Sequence, residues 1–261
     1  MKKNVPFVKA TACGNDFLVI DAQYAPDDIA TFARAICDRN NGVGADGVEW
    51  ISRAEGADIR ARLVNADGSD AEISGNGTRC VAAYLVSQTG RQTITVATDA
   101  GIKTCDLTRR EGPIFDFETD MGMPHVGEER VLHLNENDVR GVTVSMGNPH
   151  FVIFVNDFEP GWQAYALEVA VHDEFPQGTN VELVRVRDKH EIEIRIFERG
   201  VGETQSSGTG TSAAAVASIA TGRAQSPVQV HARGGVQTIQ WEQSVVLYGP
   251  ARLICRGEFF V

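Results

Sequence analysis

The sequence lacks any long hydrophobic run and has more acidic than basic residues. Nowhere do about 18 consecutive apolar residues occur, which is roughly the length that a membrane-spanning helix requires. Lysine and arginine number 24 against 35 aspartates and glutamates, and the resulting net charge of -11 disfavours binding to a phosphate backbone. Met1-Lys2-Lys3 precedes only a short mixed segment, so no signal peptide is expected. We therefore expect a cytoplasmic protein that binds neither nucleic acid nor a membrane.

The sequence also has no closely spaced pair of cysteines. The five cysteines are odd in number and widely spaced: Cys13, Cys37, Cys80, Cys105 and Cys255. None forms a C-x-x-C pair of the kind that binds zinc or acts as a redox dithiol. The spacing predicts free thiols in a reducing compartment and no metal site.

What the sequence does contain is an internal repeat with a constant offset. The pattern Ser-Gly-x-Gly-Thr begins at Ser74 and again at Ser207, and the separation of these two serines defines the repeat offset. Three further pairs keep the same offset, namely Gly14-Asn15 with Gly147-Asn148, Val48-Glu49 with Val181-Glu182, and Asn65 with Glu198. Because four pairs in one register exceed what chance supplies, the second half is predicted to be a structural copy of the first.

The repeat predicts two domains of similar size, residues 1–120 and 121–261, with the alternative that the end of the chain packs back on the first half. Each Ser-Gly-x-Gly-Thr pattern follows an alternating, strand-like run and precedes a segment of small apolar residues. The segment 212–220 is apolar on every side, which favours a helix enclosed by a sheet over a surface helix. The predicted fold class is α+β, with two pseudo-symmetric β-rich domains, each a barrel-like sheet around a central helix.

Shorter signals place other elements. Asp27-Asp28 precedes apolar residues at helical spacing and predicts a helix that ends near Asn40-Asn41-Gly42. The runs 93–98 and 102–107, joined by Asp99-Ala100-Gly101, predict a hairpin, and 142–144 and 151–155 are predicted strands. The glycine-rich segment 41–47 is interpreted as an ordinary tight connection.

The two predicted helix starts suggest a binding site in the cleft between the halves. The first turn of a helix has free N–H groups and a positive dipole, which suit a carboxylate ligand. Gly75, Asn76, Gly208 and Thr209 would donate those N–H groups. One such pattern alone is typical of an ordinary capped helix, whereas two copies in register indicate a site. A ligand held by two equivalent halves suits inversion at a carbon, where a base and an acid must act on opposite faces.

At this point the sequence resembles the diaminopimelate epimerases, which are cofactor-independent isomerases of lysine and peptidoglycan biosynthesis. The resemblance covers essentially the whole chain and rests on the segments Gly14-Asn15-Asp16-Phe17, 42–47, 65–69, 75–80, 145–150, 179–181, 198–204 and 208–211. It implies an amino acid as the small-molecule partner, no cofactor, and a homodimer as one possible assembly.

The resemblance also implies roles for matching residues. The carboxylates and ammonium groups of the substrate would be held by Asn15, Asn65, Asn148, Asn180 and Arg199. Arg199 would clamp the distal carboxylate with two hydrogen bonds. His150 and Glu198 would be polar partners of the catalytic pair; outside this context, a structural histidine and a surface ion pair would be the ordinary interpretations. Asp16 and Asp46 are interpreted as turn residues.

The sequence departs from the family at the catalytic pair itself. Where the family has a cysteine before each Gly-x-Gly, this chain has Ser74 and Ser207. A thiol with a reference pKa of about 8.5 can become a thiolate at a helix N-terminus. A hydroxyl is a far weaker acid, and a helix dipole worth about 0.3 to 2 kcal/mol does not produce an alkoxide. Epimerisation of LL- and meso-diaminopimelate is therefore expected to be impaired or lost.

Three origins of the serines stay open: an introduced inactivating pair, a natural pair in a slow or silent protein, or different chemistry on the same scaffold. The last would be racemisation of another amino acid, dehydration or a proton shift with Glu198 or His150 as base. A catalytically silent amino-acid-binding protein is the alternative from another functional class. Because Asn65, Asn180 and Arg199 suit a ligand with a second charged end, diaminopimelate is the predicted ligand.

Overall fold

The computed structural model describes residues 4–135 and 137–261, and the chain forms two compact units. Unit 1 contains the described residues up to Thr119 together with Gly249–Val261, and unit 2 is Asp120–Tyr248. The sequence boundary had assigned 249–261 to the second half, with packing on the first half as the alternative. The segment joins unit 1 because Arg252 to Phe259 pair antiparallel with Val5 to Thr11. Met1-Lys2-Lys3, on which the prediction about a signal peptide rests, lies outside the described residues.

Unit 1 is a closed barrel with one extra short strand. Its elements are β1 (Val5–Ala12), β2 (Asn15–Asp21), α1 (Ile29–Cys37), β3 (Gly47–Ser52), β4 (Ile59–Asn65), β5 (Asp70–Ala71), α2 (Gly75–Thr89), β6 (Thr93–Thr98), β7 (Gly101–Glu111), β8 (Ile114–Gly122) and part of β17 (Val245–Phe259). Neighbouring strands follow the order β1–β2–β3–β4–β6–β7–β8–β17, and β17 returns to β1. Closure leaves none of these eight strands at an open edge.

Helix α2 runs through the middle of this barrel. Its buried stretch from Cys80 to Val86 packs against inward-facing residues of all eight barrel strands, including Phe17, Phe115 and Phe117. Its side chains are buried on nearly every side, as the apolar pattern predicts for an enclosed helix. Helix α1 lies on the outer face, where it packs on the side chains of β2 and β3 that point away from α2.

Unit 2 repeats this arrangement. Its elements are β9 (His125–His133), β10 (Asp138–Ser145), β11 (Pro149–Phe154), α3 (Trp162–Ala170), β12 (Asn180–Val186), β13 (Glu191–Glu198), β14 (Gly202–Thr204), α4 (Gly208–Ala220), β15 (Val228–Ala232), β16 (Gly235–Trp241) and the start of β17. Elements α3 and β10 begin one repeat offset after α1 and β1, as α4 does after α2. The predicted repeat is therefore present element by element.

Helix α4 occupies the position in unit 2 that α2 has in unit 1. The alanines from Ala213 to Ala217 are buried among valines and isoleucines of the surrounding strands. Because the strand side chains are large, only a helix with small side chains fits inside them. The predicted fold class, two β-rich domains each with a central helix, is confirmed.

The local predictions agree closely with the structure. Asp28 caps α1 by accepting a hydrogen bond from the Thr31 N–H at 2.9 Å. The 93–98 and 102–107 runs form the β6–β7 hairpin. Helix α3 was not predicted. None of the helices in the described part of the chain is both long and apolar enough to cross a bilayer.

Candidate functional site

Ser74 is the residue from which the first half of the site is built. It precedes α2 in extended conformation, and its Oγ accepts a hydrogen bond from the Gly77 N–H at 3.1 Å. Its carbonyl oxygen accepts from the Thr78 N–H at 2.8 Å, which begins the helix. The Ser74 side chain is therefore fixed as an N-cap while the residue remains partly exposed.

Ser207 has the same role at the start of α4. Its Oγ accepts a hydrogen bond from the Gly210 N–H at 3.3 Å, and its carbonyl oxygen accepts from the Thr211 N–H at 2.9 Å. It too remains partly exposed. The two serines predicted as the family's cysteine positions thus occupy equivalent, accessible helix starts in the two units.

In unit 1, four polar side chains form a hydrogen-bonded chain beside Ser74. The buried Arg79 guanidinium donates to the Asn76 Oδ1 and, at 3.2 Å, to the Gly75 carbonyl. The Asn76 amide donates to the Asn15 Oδ1 at 3.3 Å, and the Asn15 amide donates to Asp46 at 2.5 Å. We call Ser74, Gly75, Asn76 and Asn15 half-site 1.

Asp16 and Asp46 do more than form turns. Arg39 bridges both carboxylates, each at 2.8 Å, and the Lys9 ammonium lies 2.9 Å from Asp16. Burial acts to raise the pKa of Asp16, but hydrogen bonds from Arg39 and Lys9 outweigh it, and the pKa lies below its ordinary value. Because Asp46 also accepts from Asn15, this charged network fixes the orientation of a predicted substrate-binding side chain.

Half-site 2 comprises Ser207, Gly208, Thr209, Asn148 and His150. The Asn148 amide lies 3.4 Å from the Thr209 Oγ1. Asn148 and Thr209 are the equivalents of Asn15 and Asn76 in unit 1. The Asn148 Oδ1 lies 3.0 Å from the His150 Nε2. The other ring nitrogen, Nδ1, lies 2.8 Å from the Glu182 Oε1.

His150 and Glu182 form a buried hydrogen-bonded pair. Both ring nitrogens of the buried His150 face oxygen atoms, and only hydrogen atoms can join a nitrogen to an oxygen at these distances. Hydrogen bonds within unit 2 engage both ring nitrogens of His150, and its role beside the catalytic pair stays a prediction.

Two more of the predicted residues lie at strand ends. Asn180, at the start of β12, accepts the Arg199 backbone N–H at 2.9 Å and donates to the Pro149 carbonyl at 2.9 Å. The exposed Arg199 guanidinium donates to the Gln177 carbonyl at 2.8 Å, and its other N–H groups have no partner among the described residues. The geometry thus joins Asn180 to Arg199 within unit 2.

The last two predicted residues are engaged in local turns. The Glu198 carboxylate accepts from the Thr204 hydroxyl at 2.7 Å. The Asn65 amide donates to the Ser69 hydroxyl at 3.0 Å, across the turn between β4 and β5. The role of Glu198 beside the catalytic pair and the role of Asn65 in substrate binding stay predictions.

Two buried glutamates were not predicted from the sequence. Glu49 in β3 and Glu182 in β12 are buried on the barrel face that meets the central helix. They are separated by the repeat offset. In the sequence, the Val-Glu pairs at these positions indicate the repeat but do not indicate that the glutamates are buried. The sequence signal for these buried glutamates was a charged residue among the apolar residues of a strand, at equivalent positions in both halves.

Burial alone raises the pKa of Glu49 to about 8. For Glu182, burial also raises the pKa, and the contact with His150 partly opposes this shift. Burial disfavours the charged carboxylate in both cases because the low-dielectric interior solvates charge poorly.

The raised pKa of Glu49 predicts how stability changes with pH. Above about pH 4.5 the unfolded state ionises this carboxyl while the folded state keeps its proton, so the unfolding free energy falls as pH rises to about 8. Glu49→Gln removes this contribution. We expect the variant to gain on the order of a few kcal/mol relative to the unmodified protein between pH 5 and 8. Urea unfolding of both proteins across this range measures the difference, and parallel curves would contradict the buried, protonated state.

Comparison with known proteins gives consistent results. The family model described as Diaminopimelate epimerase matches residues 7–126 and 142–254. A diaminopimelate epimerase from Moorella thermoacetica is 38% identical over 275 residues, which covers 97% of this chain and 98% of that protein. One from Bacillus anthracis is 35% identical over 280 residues, with 97% and 96% covered.

Solved structures share the fold at lower identity. A predicted epimerase from Pseudomonas aeruginosa has a TM-score of 0.75 and 18% identity, covering 98% of this chain and 99% of that chain. A hydroxyproline epimerase from Agrobacterium vitis with bound trans-4-hydroxy-L-proline has a TM-score of 0.74 and 15% identity, covering 100% of this chain and 93% of that one.

Proposed function

Because the chain belongs to the diaminopimelate epimerase family, we propose that it binds diaminopimelate and inverts one α-carbon between the LL and meso forms, slowly. The observation that carries the proposal is the pair of equivalent helix starts, each with a partly exposed serine where the family has its catalytic cysteine. Inversion needs one group to remove the α-proton and another to return a proton from the opposite face, and each half-site supplies one such position.

Substrate binding would rest on backbone and amide groups. The first turns of α2 and α4 present N–H groups and the positive end of a helix dipole, both of which favour an α-carboxylate. Asn15 and Asn148, held by Asp46 and His150, supply amide groups at fixed positions. Arg199 retains free N–H groups for the distal carboxylate.

The expected slowness follows from the hydroxyl groups. In this chain the Oγ atoms of Ser74 and Ser207 each accept one backbone N–H bond, which contributes only modestly to stabilising negative charge. A thiol at the same place ionises near neutral pH, whereas an alcohol does not. The carbanion must therefore form without a strong base in direct contact with the α-hydrogen.

The test combines binding with isotope exchange. Isothermal titration with LL- and meso-diaminopimelate should show saturable binding, and lysine, which lacks the distal carboxylate, should bind more weakly. Incubation in heavy water should then give slow α-deuterium incorporation. A protein that binds neither diaminopimelate isomer would contradict the proposal.

A catalytically silent amino-acid-binding protein is the second candidate, favoured by the absence of a thiol at both serine positions. Binding without α-deuterium incorporation during prolonged incubation would identify it. A racemase of another amino acid with His150 or Glu198 as base is less well supported, because hydrogen bonds already engage both His150 ring nitrogens and a Glu198 oxygen. Exchange with a different amino acid, and none with diaminopimelate, would favour that alternative.

A further inference from the structure

Glu49 and Glu182 are buried acidic residues that have no role in the substrate binding or inversion proposed above. Each points from a strand toward the first turn of the central helix of its own unit. A Cβ atom added at Gly77 would collide with the Glu49 Oε1 and would stand 3.2 Å from the Ser74 Cβ. In unit 2, a Cβ at Gly210 would stand 2.7 Å from the Glu182 Oε1 and 3.2 Å from the Ser207 Cβ.

These contacts show why glycine occupies both positions. Neither Gly77 nor Gly210 has a positive φ, so the backbone conformation alone does not require glycine there. The missing side chain instead leaves room for the carboxyl group beside the first turn of the helix that the serine caps. The same approach occurs at equivalent positions of both units, so it is a feature of the repeat.

Burial of these carboxyl groups costs stability. A buried carboxyl that lacks full hydrogen bonding is unfavourable by several kcal/mol on typical scales. The Glu182 Oε2 is buried with no hydrogen-bond partner within the described chain. An apolar residue in either strand would pack without this cost, so packing alone does not account for two such groups.

We propose that Glu49 and Glu182 exchange protons with the hydroxyl groups of Ser74 and Ser207 and so supply the acid–base capacity that the serines lack. The inference rests on the proposed epimerase function. Both glutamates are positioning residues, because they act on the substrate only through the serine hydroxyl.

The relay balances in protons and electrons. On one face, the serine oxygen takes the α-hydrogen as a proton while its own hydroxyl proton passes to the glutamate carboxylate behind it. The electron pair of the C–H bond stays on the α-carbon as a carbanion. On the opposite face, the other serine gives its hydroxyl proton to that carbon and receives one from its protonated glutamate. One glutamate ends protonated and the other ionised, and the reverse reaction restores both.

The two relays differ in their surroundings. Glu182 contacts His150, whereas position 17, the equivalent of 150, is a phenylalanine. The Cys80 thiol of α2 interacts with Glu49 and also with Arg79, Cys13 and Asp16. Burial keeps the Cys80 thiol neutral by raising its pKa. Exchange through Ser74 should therefore follow the ionisation of Glu49 and rise with pH toward about 8.

The experiment measures α-deuterium incorporation from each diaminopimelate diastereomer between pH 6 and 9, with binding measured separately by titration. Glu49→Gln should lower exchange on the Ser74 face by about 100-fold and abolish its rise with pH. Glu49→Asp should restore part of both, and Ser74→Ala should lower exchange as Glu49→Gln does. Binding of diaminopimelate should change little, and the exposed Glu242→Gln serves as the matched control.

The possible results distinguish the proton relay from the proposed epimerase function. Normal exchange and an unchanged pH profile in Glu49→Gln would overturn the relay and leave the epimerase proposal standing. Loss of exchange in Glu49→Gln but not in Ser74→Ala would overturn the path through the hydroxyl. Binding with no exchange in the unmodified protein would also overturn the relay. Failure to bind diaminopimelate at all would overturn the proposed function instead. If Glu49→Gln does not fold, Glu182→Gln provides the same comparison on the Ser207 face.

Discussion

The double variant Ser74→Cys/Ser207→Cys should epimerise diaminopimelate about 1,000-fold faster than the unmodified protein, because each half-site then contains a group that ionises near neutral pH. Both serines cap their helices through an Oγ that accepts a backbone N–H bond, so a sulfur atom at that place would gain the same donor and the same helix dipole. Isomer ratios over time, starting from each diastereomer, measure the rate.

The single variants separate the two faces. Ser74→Cys or Ser207→Cys alone should raise α-proton exchange only for the diastereomer whose hydrogen faces the new thiolate. Inversion should stay slow because the opposite hydroxyl remains a poor proton donor. The double variant should therefore exceed the combined gains of the two single variants. An inert double variant with intact binding would indicate that this scaffold acts on a different substrate, and fast inversion by the unmodified protein would contradict the argument from the thiolate.

Arg199→Ala should weaken diaminopimelate binding by about 2 kcal/mol, or about 30-fold, because the distal carboxylate would lose hydrogen bonds from a charged donor. The Arg199 guanidinium has one bond to the Gln177 carbonyl, and its stem lies over Gly178, so the side chain is directed before the ligand arrives. Isothermal titration gives the change in affinity.

Two comparisons sharpen this result. Arg199→Lys should recover only part of the lost affinity, because an ammonium group cannot form two parallel bonds to one carboxylate. Lysine as ligand should bind equally to the unmodified protein and to the Arg199→Ala variant, since it has no distal carboxylate. The exposed Arg53→Ala provides a control of the same charge change in unit 1. Equal diaminopimelate affinity for all variants would mean that Arg199 is not the clamp.

Much of the fold could be predicted because its signals are local. The N-caps Asp28, Ser74 and Ser207 are set by residues within one helical turn, and they appear as expected. Because the repeat has a constant offset, an element predicted in one half could also be predicted at the equivalent position of the other half. The small apolar residues of 212–220 predicted an enclosed helix, and α4 is enclosed.

The features that local patterns do not specify depend on contacts between distant parts of the chain. Gly249–Val261 belongs to unit 1 through pairing with β1 at the opposite end of the sequence, and no local pattern identifies that partner. Asp46 looked like a turn residue because its bonds to Asn15 and Arg39 appear only in the folded chain. The burial of Glu49 likewise depends on where α2 lies, which the strand sequence alone does not determine.

The place of Gly249–Val261 in unit 1 also affects the order in which a growing polypeptide can reach its native state. Strand β17 closes the unit 1 barrel by pairing with both β1 and β8, so that barrel stays incomplete on the ribosome until this segment has been synthesised. All of unit 2 precedes this segment in the chain. The usual order of co-translational folding, in which the N-terminal domain is completed first, therefore does not apply here, because unit 1 cannot close before unit 2 has been synthesised.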